Sequence, residues 1–174
     1  MSIDYLKKIL NAKVYDVAIE TPLQHAPLLS ARLGQHVLLK REDLQPVFSF
    51  KLRGAYNKMA QLPPEKLRRG VVCASAGNHA QGVAAAATLC GMPSMIVMPS
   101  DAPKLKIART KGFGGEVHLY DRNTEDREEI ARRFCAERQA ALIHPYDDFY
   151  VIAGQATAGL ELMAQAKAIG ATPD

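Results

Sequence analysis

The stretch best equipped for chemistry is Ser49-Phe50-Lys51-Leu52-Arg53-Gly54-Ala55-Tyr56. Leu52, Ala55, Tyr56 and Met59 follow the i, i+3, i+4, i+7 spacing of a buried helical face, and Pro46 and Ser49 act as start signals. Lys51 therefore falls in the first turn of a helix. Unpaired N–H groups and the macrodipole put partial positive charge at that end, which disfavours a further cation. An amine placed there sheds its proton more readily, and a neutral amine is what Schiff-base formation with a carbonyl compound requires. Taken alone, the spacing is that of an ordinary solvated lysine more often than of a catalytic one.

A second stretch, Ser75-Ala76-Gly77-Asn78-His79, joins the apolar run Gly70-Val71-Val72-Cys73-Ala74 to a helix of small residues. A strand-to-helix junction of this type turns backbone N–H groups and a hydroxyl toward an anion. Asn78 adds a side-chain amide that can meet an oxygen on a ring. The same residues would also make a plain turn, with Gly for tightness and Ser or Asn for capping.

These stretches need elements to hold them. Residues 3–10 read as a short amphipathic helix, followed by an irregular connection to Thr21-Pro22-Leu23. Pro27 opens a helix that Gly34 closes, and residues 37–40 read as a strand. Past a loop at Pro63-Pro64, strands at residues 70–74, 95–98, 116–120 and 141–143 alternate with helices. The helices span residues 80–89, ended by Gly91 and Pro93; 103–112; 124–138, with Thr124 as cap and Ile130 and Phe134 inward; and 151–167. Glu128 with Arg132 and Glu129 with Arg133 have the acid-first i, i+4 order of a solvated face. Alternation of this kind predicts an α/β fold, a parallel twisted sheet with flanking helices and right-handed crossovers. Ligands bind beyond the carboxyl ends of such strands, where both the Ser75–His79 stretch and the loop after Lys40 are assigned.

The 174 residues, 48% hydrophobic and 23% charged, suit one globular domain or parts of two. The net charge of +4 is spread among acids, and Lys104, Lys106, Arg109 and Lys111 read as the wet side of a helix, so no nucleic-acid partner is expected. Cys73, Cys90 and Cys135 lack zinc-ligand spacing; they are read as buried reduced thiols, and no metal is expected. The first eight residues hold no apolar signal core and no stretch approaches a membrane span, which predicts a cytoplasmic location and no membrane partner. No GxGxxG follows a strand, which argues against a dinucleotide-binding domain.

The wording of the chain resembles the fold-type II pyridoxal phosphate enzymes, and among them the biosynthetic threonine dehydratases. The resemblance is carried by Lys40-Arg41-Glu42-Asp43, Gln45-Pro46-Val47, the Lys51 stretch, Ser75-Ala76-Gly77-Asn78-His79-Ala80-Gln81-Gly82-Val83-Ala84 and Val151-Ile152-Ala153-Gly154-Gln155, in the family's order. It implies a tryptophan synthase β-like small domain at residues 41–146, flanked by pieces of a large domain at 1–40 and 147–174. It further implies pyridoxal 5'-phosphate as cofactor, carried by Lys51, which would also take the Cα proton. Asn78 would hydrogen-bond the ring oxygen, Phe50 would pack beside the cofactor, and Ser75, Ala76, Gly77, Asn78 and His79 would receive the substrate carboxylate. The implied reaction is dehydration and deamination of L-threonine to 2-oxobutanoate and ammonia, the entry to isoleucine synthesis, in a homo-oligomer acting on a small amino acid. Serine dehydratase, serine racemase and hydroxyaspartate dehydratase share most of this wording, and a non-catalytic binding module that keeps the Lys51 and Asn78 scaffold is the non-enzymatic alternative.

Members of the family carry a glycine-rich phosphate loop and a later Ser or Cys at the pyridine nitrogen, and neither occurs in this sequence. Gly112-Phe113-Gly114-Gly115 reads as a helix stop and turn. The expectation is an N-terminal portion of a longer enzyme, inactive in isolation. Its last helix should expose Ile152, Leu160 and Met163 and promote association.

Overall fold

The computed structural model describes residues 4–173. Its centre is a four-stranded parallel sheet made of β3 (Val71–Ala74), β4 (Ser94–Pro99), β5 (Glu116–Tyr120) and β6 (Ala141–Leu142), in the order β5-β4-β3-β6. Period-2 alternation sends Val71, Cys73, Ile96 and Met98 to one face and Val72, Met95 and Val97 to the other. The first face is covered by α5 (Asn78–Leu89) and α6 (Lys104–Gly112), and the second by Ile130 and Ala131 of α7 (Arg127–Arg138). Both faces are buried, which accounts for the unbroken apolar strands.

Helix α5 is buried nearly all round because it lies between this sheet and α3 (Lys51–Met59). Its alanines permit the close approach, and at Gly82 a Cβ would stand 3.1 Å from the backbone of Lys51 and Leu52. Helix α3 is in turn covered by α8 (Phe149–Ala168). The remaining elements are α1 (Tyr5–Leu10), β1 (Leu23–His25), α2 (Pro27–Leu33), β2 (Leu38–Lys40), a 3-10 turn (Glu42–Leu44) and α4 (Pro64–Arg69). No helix among the described residues is long and apolar enough to cross a membrane.

Several sequence expectations are corrected. Strand β2 does not join the parallel sheet; it pairs antiparallel with β1 in a separate two-stranded ribbon, and β1 lies in a stretch to which the sequence assigned no strand. The loop after Lys40 is therefore not at the carboxyl end of a parallel strand. Pro64 begins a helix, consistent with the tolerance of proline in a first turn. Helix α7 starts at Arg127 with Asp126 as its cap, accepting from the N–H groups of Glu128 and Glu129, so Thr124 lies outside it. Its i, i+4 ion pair is Arg133 with Glu137 at 3.8 Å, not the two acid-first pairs. Helix α8 begins two residues early because Asp148 caps it. Of the expected helix at residues 3–10, position 3 lies outside the described residues, and the helix runs from Tyr5. Gly34 closes α2 at φ 62°, and Gly114 follows α6 at φ 89°, as their turn roles require.

All three cysteines are free, but only Cys73 is fully buried. On α8, Ile152, Leu160 and Met163 are exposed, together with Leu28, Leu29 and Leu33 of α2.

Candidate active site

Lys51 is the first residue of α3, yet Ser49 does not cap that helix. Phe50 occupies the cap position with helical φ and ψ and no side-chain cap bond, while the Ser49 hydroxyl is buried without a partner. Ahead of it Phe48 holds a left-handed φ of 59°, a conformation that costs a non-glycine residue about 1–2 kcal/mol. The Arg109 guanidinium of α6 lies 4.9 Å from the Phe48 ring centre and braces that turn.

The half-buried Lys51 amine donates to the Pro145 carbonyl at 2.8 Å and lies 5.4 Å from the centre of the exposed Phe50 ring. Burial lowers its pKa from the ordinary lysine value, against a smaller opposing pull from Cys73. Burial drives the Cys73 thiol the other way, far above its usual range, so it remains protonated. The helix terminus and burial push the amine in the same direction.

The Ser75–His79 stretch leaves β3 and enters α5 beside this amine. Ser75 N–H is used by the Val97 carbonyl, and Gly77 N–H donates to the Ser75 hydroxyl at 3.3 Å. Among the described residues the N–H groups of Ala76, Asn78, His79 and Ala80 have no partner, which leaves a cluster of donors at one point. Ser75, Ala76 and Gly77 are half-buried, and Asn78 is exposed with a free side-chain amide. His79 points inward, with 3% of its surface exposed and Nε2 3.2 Å from the Ile143 carbonyl. Since a carbonyl can only accept, Nε2 carries the hydrogen and Nδ1 is a bare acceptor, buried without a partner. Burial, the Lys51 charge and His144 hold the His79 pKa down, at about 4, despite the bond to Ile143.

The structure places Lys51 at the start of α3 and residues 75–79 at the junction of β3 and α5, with the Lys51 amine on Pro145 and the His79 ring on Ile143 of the same segment. Three groups were not anticipated. Pro145 serves through its carbonyl, which no side-chain pattern can announce. The Lys106 amine of α6 would lie 3.7 Å from a Cβ on Gly77, although its helix reads as a solvated face. Arg53 is fully buried two residues from Lys51, bonded to both oxygens of Glu42 and of Glu161. Polar Arg53 and Asn57, at i and i+4 beside Gly54, were the available sign of a second buried face.

The chain is 53% identical over 165 residues to the L-threonine dehydratase biosynthetic IlvA of Burkholderia multivorans, covering 93% of this chain and 32% of that protein. The structure of the processed form of threonine deaminase isoform 2 from Solanum lycopersicum superposes with a TM-score of 0.85 at 48% identity, over 92% of this chain and 47% of that one. Maize serine racemase gives a TM-score of 0.87 at 37% identity, over 95% and 50%. The chain therefore spans about a third of the length of that curated relative and about half of each structure. A family model described as pyridoxal-phosphate dependent enzyme matches residues 14–174. That match covers most of the chain, and the chain therefore belongs to the pyridoxal-phosphate dependent enzyme family.

Proposed function

We propose that this chain supplies the reactive lysine and anion loop of a pyridoxal phosphate-dependent ammonia-lyase that converts L-threonine, and the smaller L-serine, to the 2-oxo acid and ammonia. The observation that carries the reading is the Lys51 amine, desolvated and lodged against Pro145 beside a cluster of free N–H donors. Identities of about half to threonine dehydratases support threonine as the substrate over the other family reactions.

The residues present fit the reactive end of the cofactor. Lys51 offers an amine biased toward neutrality, the free amide of Asn78 can meet a ring oxygen, and Phe50 offers an apolar flank. Gly112–Gly115 ends α6 and turns the chain, so it is not a phosphate cradle. When bound, pyridoxal phosphate supplies the electron sink for the carbon losing its proton. The free N–H groups of Ala76, Asn78, His79 and Ala80 would orient the substrate carboxylate, aided by the dipole of α5. Lys51 Nζ would take the Cα proton and could return it to the β-hydroxyl, so that water leaves; one water is consumed again when hydrolysis releases ammonia and the 2-oxo acid. Threonine becomes 2-oxobutanoate, in a role assigned to isoleucine synthesis.

The domain division at 1–40, 41–146 and 147–174 belongs to the same reading, supported by the parallel sheet lying wholly within the middle segment. So do a homo-oligomer, supported by the apolar exposure on α2 and α8, and a cytoplasmic location, supported by three free thiols.

The test is borohydride reduction of the chain after addition of pyridoxal phosphate, followed by peptide mapping. Label concentrated on Lys51, with a matching absorbance band that Lys51→Ala removes, is the expected result. Label scattered evenly over the exposed lysines would sink the proposal.

A further inference from the structure

We infer that His79 is a positioning residue for Lys51: its side chain pins the segment from Ile143 to Pro145, and that segment's carbonyl fixes the lysine amine. The inference rests on the reading of Lys51 as the reactive amine, but its geometry stands independently. Residue 143 is held from both sides, since its N–H donates to the Val72 carbonyl at 2.9 Å and its carbonyl accepts from His79 Nε2 at 3.2 Å. The following turn is held by a second imidazole. His144 Nδ1 accepts from the N–H of Asp147 at 2.8 Å and of Tyr146 at 3.4 Å. Between these two anchors lies Pro145, whose carbonyl receives the Lys51 amine at 2.8 Å.

A carbonyl at the end of a two-residue β6 is not held by the sheet ladder, so without these imidazoles its direction would be loosely set. Pro145 has no N–H through which it could be pinned. The His79 bond is internal and inaccessible to solvent, which makes it worth more than an exposed one. His79 thus connects α5, which bears the anion loop, to the resting place of the amine. One side chain sets the distance between the two halves of the site.

The experiment is competitive acylation of the chain with acetic anhydride at fixed pH, with Lys51 read against the exposed Lys111 as internal standard. The buried thiol of Cys73, probed in parallel with a thiol reagent, reports general loosening. His79→Leu removes the donor, His79→Asn shortens it, and His79→Gln places an amide donor near the original Nε2. We expect Lys51 acylation to rise about fivefold in the Leu and Asn variants, the fold-change held back by a hydrogen bond of about 1 kcal/mol, and to return toward wild type in the Gln variant. Cys73 should stay protected throughout. Unchanged Lys51 reactivity, or a rise matched by Cys73 exposure in every variant including Gln, would overturn the inference. Pyridoxal phosphate trapping on the unmutated chain separates the two claims: His79-dependent acylation without trapping leaves the positioning role intact and removes the proposed function.

Discussion

Arg53→Met should cost the chain about 3–5 kcal/mol of unfolding free energy, a large share of the 5–15 typical of a domain. Arg53 has 0% exposure, and it donates from Nε and Nη2 to Glu42 at 2.8 and 2.9 Å and from Nη1 and Nη2 to Glu161 at 2.5 and 2.9 Å. Glu161 also receives Lys40 at 2.7 Å and the Tyr15 hydroxyl at 2.8 Å. Removing the guanidinium strands two carboxylates in a low-dielectric interior, and that desolvation rather than the lost attraction sets the size of the effect. Combining Arg53→Met with Glu42→Gln and Glu161→Gln should therefore cost less than Arg53→Met alone. Urea unfolding midpoints at constant slope decide this, and a cost below about 1 kcal/mol for the single change would mean that the network does not hold α3.

The same network fixes an acid dependence. Burial raises the carboxyls of Glu161 and Glu42, but hydrogen bonds from Arg53, joined by Lys40 and Tyr15 at Glu161 and by Thr21 and Gln45 at Glu42, outweigh it and leave both below the usual carboxylate range. A carboxyl with a depressed folded pKa adds stability above its unfolded pKa and loses it as the pH falls through the folded value. Stability should therefore hold at neutral pH and decline below the ordinary glutamate range. Glu161→Gln should flatten that decline in unfolding curves recorded across acid pH.

Gly154→Val should be the second severe change, because α8 crosses α3 where neither helix has a side chain. A Cβ on Gly154 would stand 2.7 Å from the Arg53 carbonyl and from the Gly54 Cα, and 2.8 Å from the Asn57 Cβ. Those are mostly backbone atoms and cannot rotate away. Replacing a helical glycine with alanine normally gains up to about 1 kcal/mol, whereas overpacking costs about 1–3. Gly154→Ala should thus be a net loss and Gly154→Val a larger one. The helices must separate, drawing Lys51 off Pro145, so the yield of trapped pyridoxal phosphate should fall together with the unfolding midpoint. A Gly154→Val chain with wild-type stability and trapping would refute this account of the crossing.

Much of this architecture could be read along the chain. Val71, Val72, Ile96 and Val97 announce strands buried on both faces, and the alternation of strands with helices admits a parallel α/β sheet and little else. The placement of Lys51 at a helix start and of residues 75–79 at a strand-to-helix junction was legible for the same reason, since both are local features; the roles proposed for them came from the family resemblance. The strand at β1 was not legible, because three residues pair only when β2 is brought alongside. Capping by Asp126 in place of Thr124 was equally open, both residues being competent caps within one turn.

What the sequence determined by itself is the alternation of strands and helices that builds the parallel sheet and the place of Lys51 at a helix start, because hydrophobic period and helix termini act over a few residues. Only the tertiary structure decided which groups complete the site. Arg53 meets Glu161 across 108 residues, Lys51 meets Pro145 across 94, and His79 meets Ile143 across 64. Contacts over such separations depend on how α3, α5 and α8 pack, and packing is fixed by the absence of side chains at Gly54, Gly82 and Gly154 as much as by any residue that is present.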